Sequence, residues 1–189
     1  MFGDQDVQEL VECAGRALKS EERYLTACAL AHGWVNGRVG IRANDDEHYL
    51  QSVIWHGLMS SFRWRPEIEC EGRSDFAFYD GGSNKPVAVA ELKSWWSPGG
   101  EEELPGILRD LSVKLAAKHV PGVMLIVTHH AKGEKANENL KALADRLGVD
   151  QDRFATYAFD TYPFPDDDRP QECAVIGFLV AGKALSRSA

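Results

Sequence analysis

Three charged residues near the middle of this 189-residue chain have the types and spacing for chemistry. In RSDFAFYDGGSNKPVAVAELKSWW (residues 73–96), Asp75 opens one strand-like run, and Glu91 and Lys93 close the next. Residues two apart on a strand point to one face, so Glu91 and Lys93 share a face, with Val87 and Val89 expected further back on it. A buried ion without a partner costs several kcal/mol or shifts its pKa until it is neutral. Asp75, on the neighbouring strand, brings a second carboxylate alongside. Converging carboxylates repel and raise each other's pKa. A divalent cation resolves that conflict, and oxygen ligands with open water positions suit Mg²⁺, with Mn²⁺ as a substitute. A lysine beside such a cation orients a water and stabilises charge building on a phosphate oxygen. The plainer alternatives are an exposed cross-strand ion pair for Glu91 and Lys93, worth about 0.2–1 kcal/mol, and a turn role for Asp75. The apolar VAVA preceding Glu91 argues against a solvated edge.

These residues need elements to hold them. RPEIECEG, SDFAFYD and KPVAVAELKSW read as three strands, the last two a hairpin turning at Gly81-Gly82. A helix from about Asp45 to Phe62 precedes them, with Leu50, Val53, Ile54, Gly57 and Leu58 on one face. A helix over about Glu103–His119 follows, then the apolar run GVMLIVTHH, a buried strand. EKANENLKALADRLG is an amphipathic helix closed by Gly148, and RFATYAFDTY and ECAVIGFLVAG are two late strands. From residue 44 the order is α-β-β-β-α-β-α-β-β, an α/β or α+β domain with a mixed sheet. Residues 6–18 and 20–33 read as two short helices, the second capped by Ser20. Residues 1–43 are thereby set off as an N-terminal helical extension of a 44–189 domain.

Asp75, then a hairpin to Glu91-Leu92-Lys93, resembles the PD-(D/E)xK nucleases, the restriction endonuclease-like superfamily. Its α-β-β-β-α-β core matches the order from residue 44 to about 129. The resemblance implies a Mg²⁺-dependent nuclease cutting DNA phosphodiesters. Asp75, Glu91 and the Leu92 backbone carbonyl would hold the metal, and Lys93 would position the attacking water. The motif's proline is replaced by Ser74; EGRSD, a Gly-Arg turn into the Asp, matches. The family often draws another carboxylate from its first helix, and Glu47, at the centre of the Leu50–Ile54–Leu58 face, is the candidate. Asn44, three residues earlier, offers Glu47 a capping box instead.

Lys114, with Asp110 and Lys118, lies on one ridge of the following helix. It is either a phosphate contact or part of an ordinary i,i+4 ion pair. His129-His130 point to opposite strand faces and read as strand-end histidines rather than a chelating pair. Asp166-Asp167-Asp168 read as a solvated loop. Trp95-Trp96 pack in the core or stack on a base.

Composition bounds these readings. Hydrophobic residues make up 44%, a globular composition, and a domain of this size buries roughly 70% of its unfolded surface. Formal charge is −8, which exerts no global pull on DNA or anionic membrane. Four dispersed cysteines without a C-x-x-C pair read as reduced thiols of a cytoplasmic protein. No signal peptide is indicated, and no apolar run approaches the roughly 20 residues that span a bilayer. The acidic balance also fits a non-catalytic binding or regulatory module on a nuclease fold, or a subunit or homodimer that depends on a protein partner for DNA affinity.

Overall fold

The computed structural model describes residues 2–33, 39–41, 46–68, 74–95, 120–131, 141, 144–145, 149–162 and 171–180. Helix α1 spans Asp4–Ala31 and helix α2 Glu47–Ser61. The strands are β1 (Arg65–Ile68), β2 (Phe76–Tyr79), β3 (Pro86–Trp95), β4 (Gly122–Ala131), β5 (Ala155–Thr161) and β6 (Gln171–Val180). They form one six-stranded mixed sheet in the order β1-β2-β3-β4-β6-β5. Only β3 and β4 run parallel; the other neighbours are antiparallel.

Every strand expected from the sequence is present, and β2–β3 is the expected hairpin. The N-terminal region is organised differently. Instead of two short helices it is one helix of 28 residues, and Ser20 lies inside it. Neither Gly nor Pro falls between residues 16 and 32. The inward stripe Val7, Leu10, Val11, Ala14 and Leu18 carries on to the buried Glu22, so packing holds the helix through Ser20. This segment shares one core with α2 and the sheet: Leu10, Val11, Ala14 and Leu18 pack with Leu50, Ile54, Leu58, Leu125 and Val175. The approach is close. A Cβ on Gly15 would lie 2.2 Å from Tyr157 Cδ1 on β5.

The sheet has two dry faces. Phe76, Phe78, Ala88, Ala90 and Leu92 belong to the core shared with the helices. Ala77, Val89, Met124, Ile126, Ile176 and Phe178 form a second cluster on the opposite face. Both faces of β4 are therefore apolar, which accounts for its uninterrupted hydrophobic run. Val87 packs with the helix-side core, not with Val89 as expected. The register shifts here: Phe78 pairs with Ala88 but Tyr79 with Pro86. Val87 is thus the extra residue of a bulge, and a bulge interrupts the alternation of faces.

The segments expected as helices over 103–119 and 134–148 lie outside the described residues, apart from Lys141, Ala144 and Asp145. Among the described residues no helix is long and apolar enough to cross a membrane.

Candidate functional site

The β2–β3 ladder ends at the pair Phe76↔Ala90. One step further, Asp75 comes opposite Glu91 where β2 no longer continues. Its side chain replaces the missing strand partner: the Leu92 N–H donates to Asp75 Oδ2 at 2.7 Å. A strand residue's N–H and C=O leave the backbone on the same side, so the Leu92 carbonyl is directed to this edge as well. The Asp75 and Glu91 carboxyls lie within hydrogen-bonding reach of each other.

Alternation explains why they meet. Ala77 and Val89 both belong to the far-face cluster; Asp75 is two residues from the first, and Glu91 and Lys93 follow the second at steps of two. Glu91 is buried, with 7% of its surface exposed. Lys93 is half-buried, and its Nζ donates to Glu47 Oε1 at 2.7 Å.

These placements set the electrostatics. Burial pushes the Asp75 carboxyl up, and the negative charge of Glu47 adds to this. The Leu92 N–H, the Lys93 ammonium and the Glu91 hydrogen bond oppose the rise, and the net direction is above the ordinary aspartate range. For Lys93 burial acts downward. The hydrogen bond and charge of Glu47, with the charges of Asp75 and Glu91, outweigh it and hold the ammonium above its ordinary value. With every acid ionised, the three carboxyls and one ammonium carry a formal excess of two negative charges in a partly desolvated site; the proton that the Asp75–Glu91 hydrogen bond requires reduces it to one.

Glu47 is the first residue of α2, not the third that a capping box requires. The cap is Asp46, whose Oδ1 accepts from the His48 N–H at 3.0 Å. The Glu47 side chain is spent on Lys93 instead, 46 positions away; Asn44 lies outside the described residues. Sequence reasoning missed Gln51, one turn further along α2, whose Nε2 donates to the Asp75 backbone carbonyl at 2.7 Å. Its only local signal was the i,i+4 spacing from Glu47 on the inward face.

The donor set suits a divalent cation in kind: two adjacent carboxyls, a carbonyl directed to the same edge and an excess of negative charge. Among the described residues no three His, Cys, Asp or Glu side chains are grouped to hold a metal ion. Glu47 is turned onto Lys93, so among the described residues the acids placed for one ion are the pair Asp75 and Glu91.

Lys114, Asp110, Lys118, Trp96 and Asp166–Asp168 lie outside the described residues, as do the side chains of Trp95 and His130. His129 is buried, and its Nε2 is hydrogen-bonded with Thr161 Oγ1 at 2.8 Å, as expected of a strand-end histidine.

Comparison with known proteins adds one likeness. The chain is 29% identical over 85 residues, 44% of its length, to the exodeoxyribonuclease 7 large subunit of Brucella ovis. The large subunits of Brucella canis and Brucella abortus (strain 2308) match equally. The matched part is 16% of the length of those relatives. No family model matches the chain, and no solved structure matches it.

Proposed function

We propose that this chain is a metal-dependent phosphodiesterase of the PD-(D/E)xK type acting on DNA. The observation that carries the reading is the meeting of Asp75, Glu91 and Lys93 at the open end of the β2–β3 hairpin, with acids outnumbering the one ammonium. The partial likeness to an exodeoxyribonuclease subunit supports it independently.

Asp75, Glu91 and the Leu92 carbonyl would hold Mg²⁺ or Mn²⁺, which when bound supplies a Lewis acid for a phosphate oxygen. The chain's own part is positional and electrostatic. In hydrolysis a water oxygen bonds to phosphorus, the P–O bond to the leaving sugar oxygen breaks, and a proton passes from the water to solvent and from solvent to the leaving oxygen. The Lys93 ammonium lies beside the acid pair, where it orients that water and stabilises the negative charge that develops. Glu47 fixes the Lys93 rotamer. Lys114 would touch a substrate phosphate. With a net charge of −8, the chain gains its DNA affinity from a protein partner or a second copy.

The test is incubation of the purified protein with Mg²⁺ or Mn²⁺ and single-stranded, duplex or branched DNA. Divalent-dependent cleavage that Lys93→Ala slows about 10²–10³-fold is the expected result. No cleavage of any of the three, with no cation bound at millimolar concentration, would replace this reading with the non-catalytic binding module.

A further inference from the structure

We propose that Gln51 is a positioning residue for Asp75, and that α2 uses two successive turns to set the spacing between the acid pair and the lysine. The functional consequence rests on the metal-dependent reading above. Asp75 stands one residue before β2, beyond the last pairs of the described ladders, Ile68↔Phe76 and Phe76↔Ala90. Its main-chain carbonyl is held instead by Gln51 Nε2 at 2.7 Å, and its carboxylate by the Leu92 N–H at 2.7 Å. The residue is thus pinned at both ends. Glu47, four positions before Gln51 and on the same helix face, holds Lys93 Nζ at 2.7 Å.

Burial makes the Gln51 bond hard to replace. Gln51 is 8% exposed, and a buried amide or carbonyl left unsatisfied costs about 1–3 kcal/mol. Leu50 and Ile54, flanking it on α2, are fully buried in the shared core, so the helix cannot rotate away without disturbing that packing. Outer partners that orient ligating groups typically alter metal affinity or activity by about 10–100-fold when removed.

The test compares wild type with Gln51→Met, which keeps the length and loses the donor, by amide hydrogen exchange and by Mn²⁺ titration calorimetry. In the variant, protection of the Leu92 amide should fall at least about tenfold while that of Leu125 on neighbouring β4 stays unchanged, and Mn²⁺ affinity should fall about tenfold. In an Asp75→Asn background the same substitution should change Mn²⁺ affinity no further. A folded Gln51→Met with wild-type Leu92 protection, or with both amides losing protection equally, overturns the assignment. If Gln51→Met fails to fold, Gln51→Asn, a methylene too short to reach, is read by the same two amides. Wild-type protein that binds no Mn²⁺ would end the metal-dependent reading, while the exchange data would still decide whether Gln51 positions Asp75.

Discussion

Lys93 on β3 and Glu47 at the start of α2 form a 2.7 Å ion pair across 46 residues of sequence. That contact fixes the ammonium beside the Asp75–Glu91 pair. Glu47→Ala removes the tether, and the ammonium is then free to pair directly with the acids, where it competes with a cation. Mn²⁺ affinity should fall about tenfold. The thermal midpoint should move little, because a half-exposed pair is worth about 0.2–1 kcal/mol. Unchanged affinity by calorimetry would show that Glu47 does not restrain Lys93.

Lys93→Ala and Asp75→Asn should separate chemistry from binding. Without Lys93 the two carboxylates still attract a cation, so affinity survives. The rate of DNA cleavage should drop about 10²–10³-fold, the usual cost of one preorganised charge-stabilising group. Asp75→Asn should instead weaken cation binding, with activity partly recovered at raised Mn²⁺. Parallel cleavage assays and titrations distinguish the two; equal loss of affinity in both variants would count against separate roles.

Asp6 should set part of the acid stability. Its buried carboxylate accepts from Trp64 Nε1 at 2.7 Å and from the Gly3 N–H at 2.9 Å, and is paired with Arg63. Burial acts upward on its pKa, but the Trp64, Gly3 and Arg63 interactions outweigh it and hold the group below its ordinary value. A depressed folded pKa contributes stability that is fully present above the unfolded value, near 3.8, and is lost as pH falls through the folded one. Asp6→Asn should therefore destabilise the protein at pH 7 by about 1.5–3 kcal/mol. It should also flatten the dependence of urea midpoints on pH below about 4. A variant with the same acid slope as wild type would refute the assignment.

Gly15→Ala tests the seat of α1 on β5. Alanine favours a helix over glycine by about 1 kcal/mol. The added Cβ, however, would meet Tyr157 Cδ1, Cγ and Cβ at 2.2, 2.5 and 2.8 Å. The clash reaches the root of the tyrosine side chain, so simple rotation does not relieve it, and overpacking of this kind costs about 1–3 kcal/mol. The net effect should be destabilising in thermal melts. In a Tyr157→Gly background, which removes Cβ as well as the ring, the sign should reverse, because only the helix preference remains.

The sequence alone determined the local features: six strands, the β2–β3 hairpin, the shared face of Glu91 and Lys93, and the charge conflict with Asp75. All of these follow from period-two alternation and turn residues, which act over a few positions. It did not disclose that α1 runs through Ser20, since a serine that would cap the start of a helix in isolation is carried inside one by buried neighbours on either side. The bulge at Val87 likewise depends on how β3 registers with β2. The tertiary structure decided what local pattern does not encode. It inserted β6 between β4 and β5, brought Glu47 to Lys93, and set Gln51 against the Asp75 carbonyl. Those contacts join residues 24 and 46 positions apart. Their partners are selected by the burial of α2 through Leu50, Ile54 and Leu58, and only once that face is packed do Glu47 and Gln51 have a site to hold.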